Sequence, residues 1–316
     1  MDNVYKQLKL YGKVKPNVLL SKFSNFNIGG PADFLIEVTE TEKAIALLNY
    51  LSGEGIEYLI LGGGSNVLFP DDGIRGVVIR IKNEELRMKN NVIEVDAGVQ
   101  LSELVRASIE HKLAGLEWAA GIPGAVGGAI RGNAGAHYVF TGGEIKDSIT
   151  SVRMWRDGEA LELTALECEF GYRDSIFKHK TDVVLSGKFA LAPGDAKKSL
   201  EMTQKIIAER KGKQSSQPSA GSFFKNVPLT KWKQDQSRLP ARFLSYKKIA
   251  AGWLVEQAGL KGFRVGGAMI SEEHGNFIIN AGGATQADVL AVVDEVKQRV
   301  YTTYEIELEE EVQIIH

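Results

Sequence analysis

The first half of the chain alternates short apolar runs with longer amphipathic stretches. The short runs are rich in β-branched and aromatic residues and are bounded by glycine or polar residues, as buried strands are. They lie at Phe34–Val38, Tyr58–Leu61, Val77–Ile81 and Val92–Val95. Strands that alternate with helices in this way indicate an α+β fold.

Two amphipathic helices are predicted, one between the first two of these strands and one after the last. The first follows a capping box at Thr39-x-x-Glu42 and ends at Gly53. Its apolar positions recur at helical spacing, at Ile45, Leu48 and Leu51. The second covers Leu101–Leu113 and is closed by Gly115.

The second half opens with a strand-rich stretch from Val152 to Ala192, followed by a charged helical stretch over residues 197–213. Near the C-terminus, Thr285-x-x-Asp288 is a capping box for another helix. That helix carries a stripe of valines at positions 289, 292, 293, 296 and 300. Alternation of apolar and polar residues over Ile306–Ile315 predicts a final strand.

Composition and charge narrow the functional class. The 316 residues suffice for two or three domains, and a hydrophobic fraction of 44% is ordinary for a soluble protein. A net charge of −2 offers no basic field for nucleic acid or for a membrane surface. Charged residues near the N-terminus and the lack of a long apolar run argue against a signal peptide or membrane helix, so we expect a cytoplasmic protein.

The cysteine and histidine content argues against a metal site. Cys168 is the single thiol, which excludes a disulfide framework and a cysteine-type zinc site. We interpret it as a buried structural thiol rather than a nucleophile, because no histidine-bearing motif accompanies it. The five histidines never fall at metal-ligand spacing, so we expect no metal.

Two glycine-rich segments are the main candidates for a ligand site. Residues 121–136 read GIPGAVGGAIRGNAGA, and the predicted strand Tyr58–Leu61 runs into GGGSN at 62–66. Backbone without side chains allows close approach of a large flat or phosphorylated ligand, and its N–H groups can bond that ligand. We therefore interpret 121–136 as a ligand-wrapping loop rather than a loose surface loop, and 62–66 as a phosphate-binding nest.

The glycine segment at 62–66 does not fit a dinucleotide-binding fingerprint. A G-x-G-x-x-G pattern that starts at Gly62 has Val67 at its third glycine position. The residues that follow are typical of turns and a strand, not of the helix that the fingerprint opens. These two departures exclude a Rossmann site.

Several segments together resemble the UDP-N-acetylenolpyruvoylglucosamine reductase (MurB) family, in family order and across nearly the whole chain. They are LGGGSNVL at 61–68, GIPGAVGG at 121–128, NAGA at 133–136, GYRDSIFK at 171–178, PSAGSFFKN at 218–226 and AGWLVEQAGLKG at 251–262. The short connection after Lys178 is similar to the branch that lacks an extra tyrosine-bearing loop.

The resemblance implies a fold, a division into domains and a reaction. The fold is an α+β FAD-binding fold of the vanillyl-alcohol-oxidase/PCMH type in two subdomains, 1–90 and 91–205, with a C-terminal α+β substrate-binding domain at 206–316. FAD is the implied cofactor and NADPH the implied reductant. The reaction is reduction of UDP-N-acetylenolpyruvoylglucosamine to UDP-N-acetylmuramate for peptidoglycan synthesis, by a protein that we expect to be a monomer.

Two catalytic residues follow from the family motifs. Arg173 is suited to stabilise charge on the substrate carboxylate, although an arginine next to Asp174 would otherwise be taken for a surface salt bridge. Ser222 is suited to reprotonate the inner carbon, since a carbanionic carbon is basic enough to take a hydroxyl proton. From the residues alone, Ser222 would be a turn hydroxyl, and Ser219 is a rival donor.

The third catalytic residue is a C-terminal glutamate. Strand alternation places Glu307, Glu309 and Glu311 on one face and leaves Glu310 on the apolar face. The family pattern L-E-x-E-V instead selects Glu311 and places Glu310 where the family often has proline. We choose Glu311 as the hypothesis.

The resemblance also assigns binding residues. For FAD they are Gly62, Gly63, Gly64, Ser65, Asn66, Gly121, Ile122, Pro123, Gly124, Gly127, Gly128, Asn133, Ala134 and Gly135. For the substrate or nicotinamide they are Lys213, Asn226 and His274.

Alternatives remain open at two levels. The basic segment 227–249 is interpreted as a solvated surface loop, with a lid over an anionic substrate as the alternative. For the whole chain, the rivals are a flavoprotein that oxidises a small alcohol with O₂, and a sugar-nucleotide-binding regulator without activity. Arg173, Ser222 and the acidic pair Glu310/Glu311 argue against the regulator.

Overall fold

The computed structural model describes residues 2–212 and 215–316. Its α-helices are α1 (Asp2–Leu8), α2 (Thr41–Gly53), α3 (Leu101–Glu110), α4 (Val126–Arg131), α5 (Ala196–Lys211), α6 (Ala241–Tyr246), α7 (Ala251–Gln257) and α8 (Gln286–Tyr304). Its strands are β1 (Lys13–Leu19), β2 (Pro31–Val38), β3 (Tyr58–Ile60), β4 (Val67–Leu68), β5 (Ile74–Ile81), β6 (Leu86–Lys89), β7 (Val92–Asp96), β8 (Leu113–Ala114), β9 (Gly135–His137), β10 (Gly142–Glu144), β11 (Ile149–Arg156), β12 (Glu159–Thr164), β13 (Val183–Ala190), β14 (Ala192–Pro193), β15 (Ser219–Ser222), β16 (Val227–Pro228), β17 (Lys248–Ile249), β18 (Arg264–Val265), β19 (Ala268–Ile270), β20 (Phe277–Asn280) and β21 (Gln313–Ile314). Within the described ranges, every helix is too short or too polar to span a bilayer.

The first compact unit comprises the chain up to Val18 together with residues 32–63 and 74–210. One sheet has the order β1-β2-β5-β3, in which β5 pairs parallel with both β2 and β3. A second, antiparallel sheet has the order β12-β11-β13-β7-β6. One buried apolar cluster includes residues of both sheets, among them Val77 and Val152.

The strands of this unit form largely where the sequence predicts them, and α2 ends at Gly53 as predicted, but the start of α2 and the end of α3 differ from the prediction. Helix α2 begins at Thr41, and its N-cap residue Glu40 makes no side-chain capping bond, so the predicted Thr39 capping box is wrong. Helix α3 ends at Glu110, three residues before the predicted end. Lys112 adopts a left-handed φ of 56°, which ends the helix and lets Leu113 enter strand β8.

The second compact unit comprises residues 19–31, residues 64–73 and the chain from Lys211 onward. Its sheet has the order β15-β20-β19-β18. Helix α8 starts with the predicted Thr285–Asp288 capping box, and its five predicted valines are buried. The N-terminal segments join this core through Phe26, Ile28 and Leu68.

Two long-range connections tie the 64–73 segment into this unit. Strand β4 pairs parallel with β21, with Val67 opposite Gln313. The Asp71 carboxylate accepts the amides of Gln286 and Ala287 at 2.7 and 3.2 Å, at the start of α8. A carboxylate at a helix N-terminus satisfies amides that have no partner within the helix.

The C-terminal end is less regular than predicted. Ile306, Leu308 and Val312 are buried as the alternation requires, but only Gln313–Ile314 is strand. The expected continuous strand Ile306–Ile315 is therefore wrong, because the segment pairs through isolated contacts instead of a ladder.

The basic segment 227–249 is ordered rather than a simple solvated loop. It contains β16, α6 and β17, and it buries Trp232, Leu239 and Phe243 in the core of the second unit. Its charged side chains are nevertheless mostly exposed, so the predicted solvated charge is confirmed, whereas the prediction of a simple loop is wrong. The domain limits expected at residues 90 and 205 stay predictions.

Candidate active site

Two glycine loops come together in the first unit. A Cβ atom added to Gly63 would lie 2.7 Å from the Gly124 Cα and 3.3 Å from the Ala125 nitrogen, so the two loops touch backbone to backbone. The N–H groups of Gly62, Gly63, Gly124, Ala125 and Gly128 donate to no group among the described residues. Because backbone amides are strong donors that need acceptors, these five are available to a bound ligand.

Gly128 indicates that this cradle is shaped for a ligand. It is exposed in the first turn of α4, and, apart from its chain neighbours and the backbone of the helix itself, no atom of the described residues lies within 4 Å of the position its Cβ would take. Glycine costs a helix roughly 0.5–1 kcal/mol relative to alanine, and nothing in the chain requires it here. A bare patch beside open amides fits FAD, whose flat ring and pyrophosphate need close backbone approach.

Other cofactor candidates on the second loop have roles within the fold. A Cβ on Gly127 would lie 2.8 Å from the Ala97 Cβ, and one on Gly121 would lie 3.2 Å from the Arg210 Cδ. Ile122 packs partly buried against the core, whereas Pro123 is exposed. Ala134 accepts the amide of Ile145 through its carbonyl, next to Gly135 in strand β9.

The side chain of Asn133 is used to hold this loop. It is fully buried, and its Nδ2 donates to the Gly171 carbonyl at 2.6 Å and to the Glu144 carboxylate at 3.2 Å. Its Oδ1 accepts the amide of Lys146 at 3.0 Å, and its φ of 41° is the left-handed value expected of asparagine. The structure thus gives Asn133 a role in loop shape, and a direct contact with FAD stays a prediction.

The candidates Gly64, Ser65 and Asn66 belong to the second unit. A Cβ on Gly64 would lie 1.8 Å from the carbonyl oxygen of Phe23, so only glycine fits there. Ser65 is half-buried. The Asn66 side chain donates to the Glu311 carbonyl at 3.1 Å, which joins this loop to the predicted catalytic glutamate.

Arg173 is held in a strained turn of the first unit. Its φ of 56° is left-handed, and its neighbours Gly171 and Asp174 form a β-bridge around it. Its guanidinium donates to the Gly135 carbonyl, and its Nη1 lies 3.9 Å from Glu144 Oε1. Left-handed backbone at a residue other than glycine is uncommon and is found at functional sites when the surroundings enforce it.

The charge next to Arg173 is fixed. Burial by itself raises the pKa of Glu144, but hydrogen bonding and charge from Lys146, the charge of Arg173 and a bond from Asn133 outweigh it and leave the pKa below its ordinary value. Glu144 is therefore ionised at neutral pH, and its carboxylate attracts the guanidinium across 3.9 Å. Asp174, the alternative partner considered from the sequence, lies 2.9 Å from His179.

Ser222 lies at a β-bulge in the second unit. Ser219 pairs with Ile279 and Ser222 with Phe277, so strand β15 contains one extra residue. Gly221 takes up this bulge with a φ of 82°. Such a bulge redirects the side chain that follows it.

Ser219, the rival proton donor, is hydrogen-bonded within the turn. Ser219 Oγ accepts the amide of Gly221 at 3.4 Å. The Ser222 hydroxyl makes no hydrogen bond to any group in the described residues, so it is free for a ligand. This difference favours Ser222 over Ser219 as the proton donor, and its catalytic role stays a prediction.

Glu310 and Glu311 contact different parts of the second unit. Glu310 Oε1 lies 2.8 Å from Lys297 Nζ on helix α8. The amide of Glu311 donates to the Phe223 carbonyl at 2.8 Å, which places Glu311 across from the residue after Ser222. Within the second unit the structure thus brings together two of the predicted catalytic residues, Ser222 and Glu311.

The predicted substrate residues differ in what the structure shows. Asn226 Oδ1 accepts the amide of Ala251 at 3.1 Å, at the start of α7. His274 Nδ1 accepts the amide of Asn276 at 3.1 Å, and its ring packs at 5.0 Å from Phe277. Lys213 lies outside the described residues.

Sequence reasoning missed Asn276, which is buried and pairs with Phe224 through two hydrogen bonds. Its only signal in the sequence is its place in the H-G-N triplet at 274–276.

The structure agrees with the interpretation of Cys168 as a buried structural thiol. Burial, and to a smaller extent the charge of Glu167, raises the pKa of the Cys168 thiol to about 11. A thiol with that pKa is not a nucleophile at neutral pH.

Comparison with known proteins identifies both parts of the chain. Residues 32–164 match the family described as FAD binding domain, and residues 213–315 match UDP-N-acetylenolpyruvoylglucosamine reductase, C-terminal domain. Together they confirm the predicted fold class, a FAD-binding domain followed by a reductase C-terminal domain.

Relatives match over nearly their whole length. The UDP-N-acetylenolpyruvoylglucosamine reductase of Bacillus subtilis is 37% identical over 322 residues, with 100% of this chain and 99% of the relative covered. That of Carboxydothermus hydrogenoformans is 36% identical, with 97% and 95% covered. The crystal structure of the Thermus caldophilus reductase (MurB) has a TM-score of 0.77 and 33% identity, and covers 97% of this chain and 100% of that one. The chain therefore belongs to the UDP-N-acetylenolpyruvoylglucosamine reductase family.

Proposed function

We propose that this chain reduces UDP-N-acetylenolpyruvoylglucosamine to UDP-N-acetylmuramate, with FAD as cofactor and NADPH as reductant, in peptidoglycan synthesis. The observation that carries the proposal is full-length similarity, above 35% identity, to reductases of this name. The open glycine cradle supports it, because it lies in the domain that matches FAD-binding proteins.

The amides of Gly62, Gly63, Gly124, Ala125 and Gly128 are the groups we assign to hold FAD. When bound, FAD supplies the hydride that is passed from NADPH to the outer carbon of the enolpyruvyl group. The remaining tasks fall to side chains of the chain, which bind the substrate carboxylate and deliver a proton.

Arg173 is assigned to the substrate carboxylate. Hydride addition to the outer carbon moves negative charge toward that carboxylate, as in an enediolate. A guanidinium that is permanently charged and already oriented stabilises such charge without reorganising. The hydrogen bond from Arg173 to the Gly135 carbonyl supplies this orientation, and the Glu144 carboxylate lies nearby, 3.9 Å from Nη1.

Ser222 is assigned to protonate the inner carbon, which completes the addition of one hydride and one proton across the double bond. Its hydroxyl has no competing partner among the described residues. Glu311 is assigned to the same site as a second acid–base group, since its backbone is bonded to the residue after Ser222. Asn226, His274 and Lys213 remain proposed substrate contacts.

Mass spectrometry of the reaction mixture tests this function. Purified protein with FAD, NADPH and UDP-N-acetylenolpyruvoylglucosamine should give a product heavier than the substrate by two hydrogen atoms. Unchanged substrate would contradict the proposal. Oxygen consumption with a small alcohol and without NADPH would identify an oxidase, and substrate binding without turnover would identify a regulator.

Two further proposals concern the state of the protein. We propose that it lies in the cytoplasm, as expected from the absence of a long apolar run, and that it acts as a monomer. Light scattering of the holoenzyme should then give the mass of one 34.6 kDa chain, and a mass of two chains would contradict the monomer.

A further inference from the structure

The backbone that follows Ser222 is held along both of its edges. On one edge, the amide of Lys225 donates to the Glu309 carbonyl, and the amide of Glu311 donates to the Phe223 carbonyl, each at 2.8 Å. These two bonds flank the bridge between Phe224 and Glu310. The backbone amide and carbonyl of Phe224 therefore point to the opposite edge, where a different partner must satisfy them.

That partner is the side chain of Asn276. Its Oδ1 accepts the Phe224 amide at 2.9 Å, and its Nδ2 donates to the Phe224 carbonyl at 2.8 Å. A primary amide carries a donor and an acceptor in one plane, so it can replace the neighbouring strand that a β-residue would otherwise pair with. Asn276 is only 4% exposed, so water does not substitute for these bonds.

The backbone of Asn276 is fixed as well. Its carbonyl accepts the amide of Phe223 at 2.7 Å, and its own amide donates to His274 Nδ1 at 3.1 Å. Phe223 and Phe224 are almost fully buried, which anchors the segment in the core of the second unit. One asparagine thus makes three hydrogen bonds to two consecutive residues directly after Ser222.

Ser222 depends on this arrangement more than an ordinary side chain does. Its hydroxyl has no hydrogen-bond partner among the described residues, and the bulge at Gly221 precedes it. The direction of the hydroxyl is therefore set by the backbone on either side. We propose that Asn276 is a positioning residue for proton transfer by Ser222, an inference that rests on the proposed function.

Rapid kinetics of three variants tests this role. Asn276→Ala removes both side-chain bonds to Phe224, and Asn276→Asp keeps the shape and one acceptor but loses the donor. Asn280→Ala is the matched control, because Asn280 lies at the end of the same strand β20 and bonds Phe26, Gly282 and Ala284 without contacting residues 222–224.

Reduction of the flavin by NADPH and its reoxidation by the enolpyruvyl substrate should respond differently to the Asn276 variants. Misplacing a reacting group by about 1 Å can cost on the order of 100-fold in rate. We therefore expect Asn276→Ala and Asn276→Asp to slow reoxidation of the reduced holoenzyme by the enolpyruvyl substrate about 10- to 100-fold, with a larger solvent deuterium isotope effect. Bleaching of the flavin by NADPH should stay within about twofold of wild type, as should both reactions in Asn280→Ala.

Amide hydrogen exchange provides a readout that is independent of activity. Exchange at Phe224 should accelerate in both Asn276 variants and stay slow in Asn280→Ala. The inference is overturned if reoxidation is unchanged, or if bleaching and reoxidation fall together in proportion to the unfolded fraction. Failure of the wild-type protein to convert the substrate would instead overturn the proposed function, so the two failures are distinguishable.

Discussion

Replacement of Gly128 by alanine should change the stability of the apoprotein and its affinity for FAD in opposite directions. In the chain alone, the new methyl group has no atom of the described residues within 4 Å, and the backbone φ of Gly128 is not in the left-handed range. Alanine is the better helix former by about 0.5–1 kcal/mol. The apoprotein should therefore become more stable by up to that amount.

The effect on FAD affinity should have the opposite sign. If FAD lies against the open amides beside Gly128, a methyl group there must displace it or deform the loop. Overpacking of this kind costs roughly 1–3 kcal/mol. Since about 1.4 kcal/mol is a factor of ten in affinity, FAD should bind roughly 5- to 150-fold more weakly.

Two measurements on each protein are needed. Denaturant unfolding of the apoprotein reports the stability, and titration with FAD, followed by quenching of flavin fluorescence, reports the affinity. Gly53→Ala is the matched control, because Gly53 also lies in a helix, is exposed and has no atom within 4 Å of its added Cβ. It should leave FAD affinity unchanged.

Equal FAD affinity in Gly128→Ala and wild type would refute the reasoning. It would mean that the bare surface at Gly128 is not where the cofactor approaches. A destabilised apoprotein would also contradict it, because the structure shows free space for the methyl group.

Three other predictions follow from the site and its frame. Ser222→Ala should bind FAD and be bleached by NADPH, yet form product at least about 100-fold more slowly, and near-normal turnover would contradict its role as donor. Glu310→Pro should unfold at close to the wild-type temperature, because the amide of Glu310 makes no hydrogen bond among the described residues, whereas Glu311→Pro loses a backbone bond and should unfold markedly earlier. Hydrogen bonds from backbone amides, first that of Thr285, lower the pKa of Asp288, so its stabilisation is present above its unfolded pKa of about 4 and is lost as pH falls through the lower folded value. Asp288→Asn should accordingly be less stable at neutral pH and flatten the acid limb of a stability–pH curve, and a parallel curve would contradict this.

Features with local signals could be predicted from the sequence. The capping box and valine stripe of helix α8 lie within one element, and the structure reproduces both. The glycine loops can be recognised in the sequence because an accumulation of residues without side chains mainly serves close approach of the backbone to a ligand or to other backbone. Their contact at Gly63 and Gly124 joins residues 61 positions apart, and no local pattern encodes it.

Features that depend on distant residues could not be predicted. Thr39 has the residue type and spacing of an N-cap, but the chain enters α2 at Glu40 instead. The alternation that placed Glu310 on the apolar face assumed a regular strand, whereas this residue pairs with Lys297 of α8. Asn276 has an ordinary polar side chain in the sequence, and its role becomes visible only when the backbone of Phe224 lies beside it.

The most direct test of the account is an anaerobic absorbance experiment on the FAD-loaded protein. We predict that NADPH bleaches the flavin band and that UDP-N-acetylenolpyruvoylglucosamine then restores it, with one substrate consumed for each flavin reoxidised. A protein that does not bind FAD, or a bleached flavin that the enolpyruvyl substrate leaves unchanged, would contradict the account.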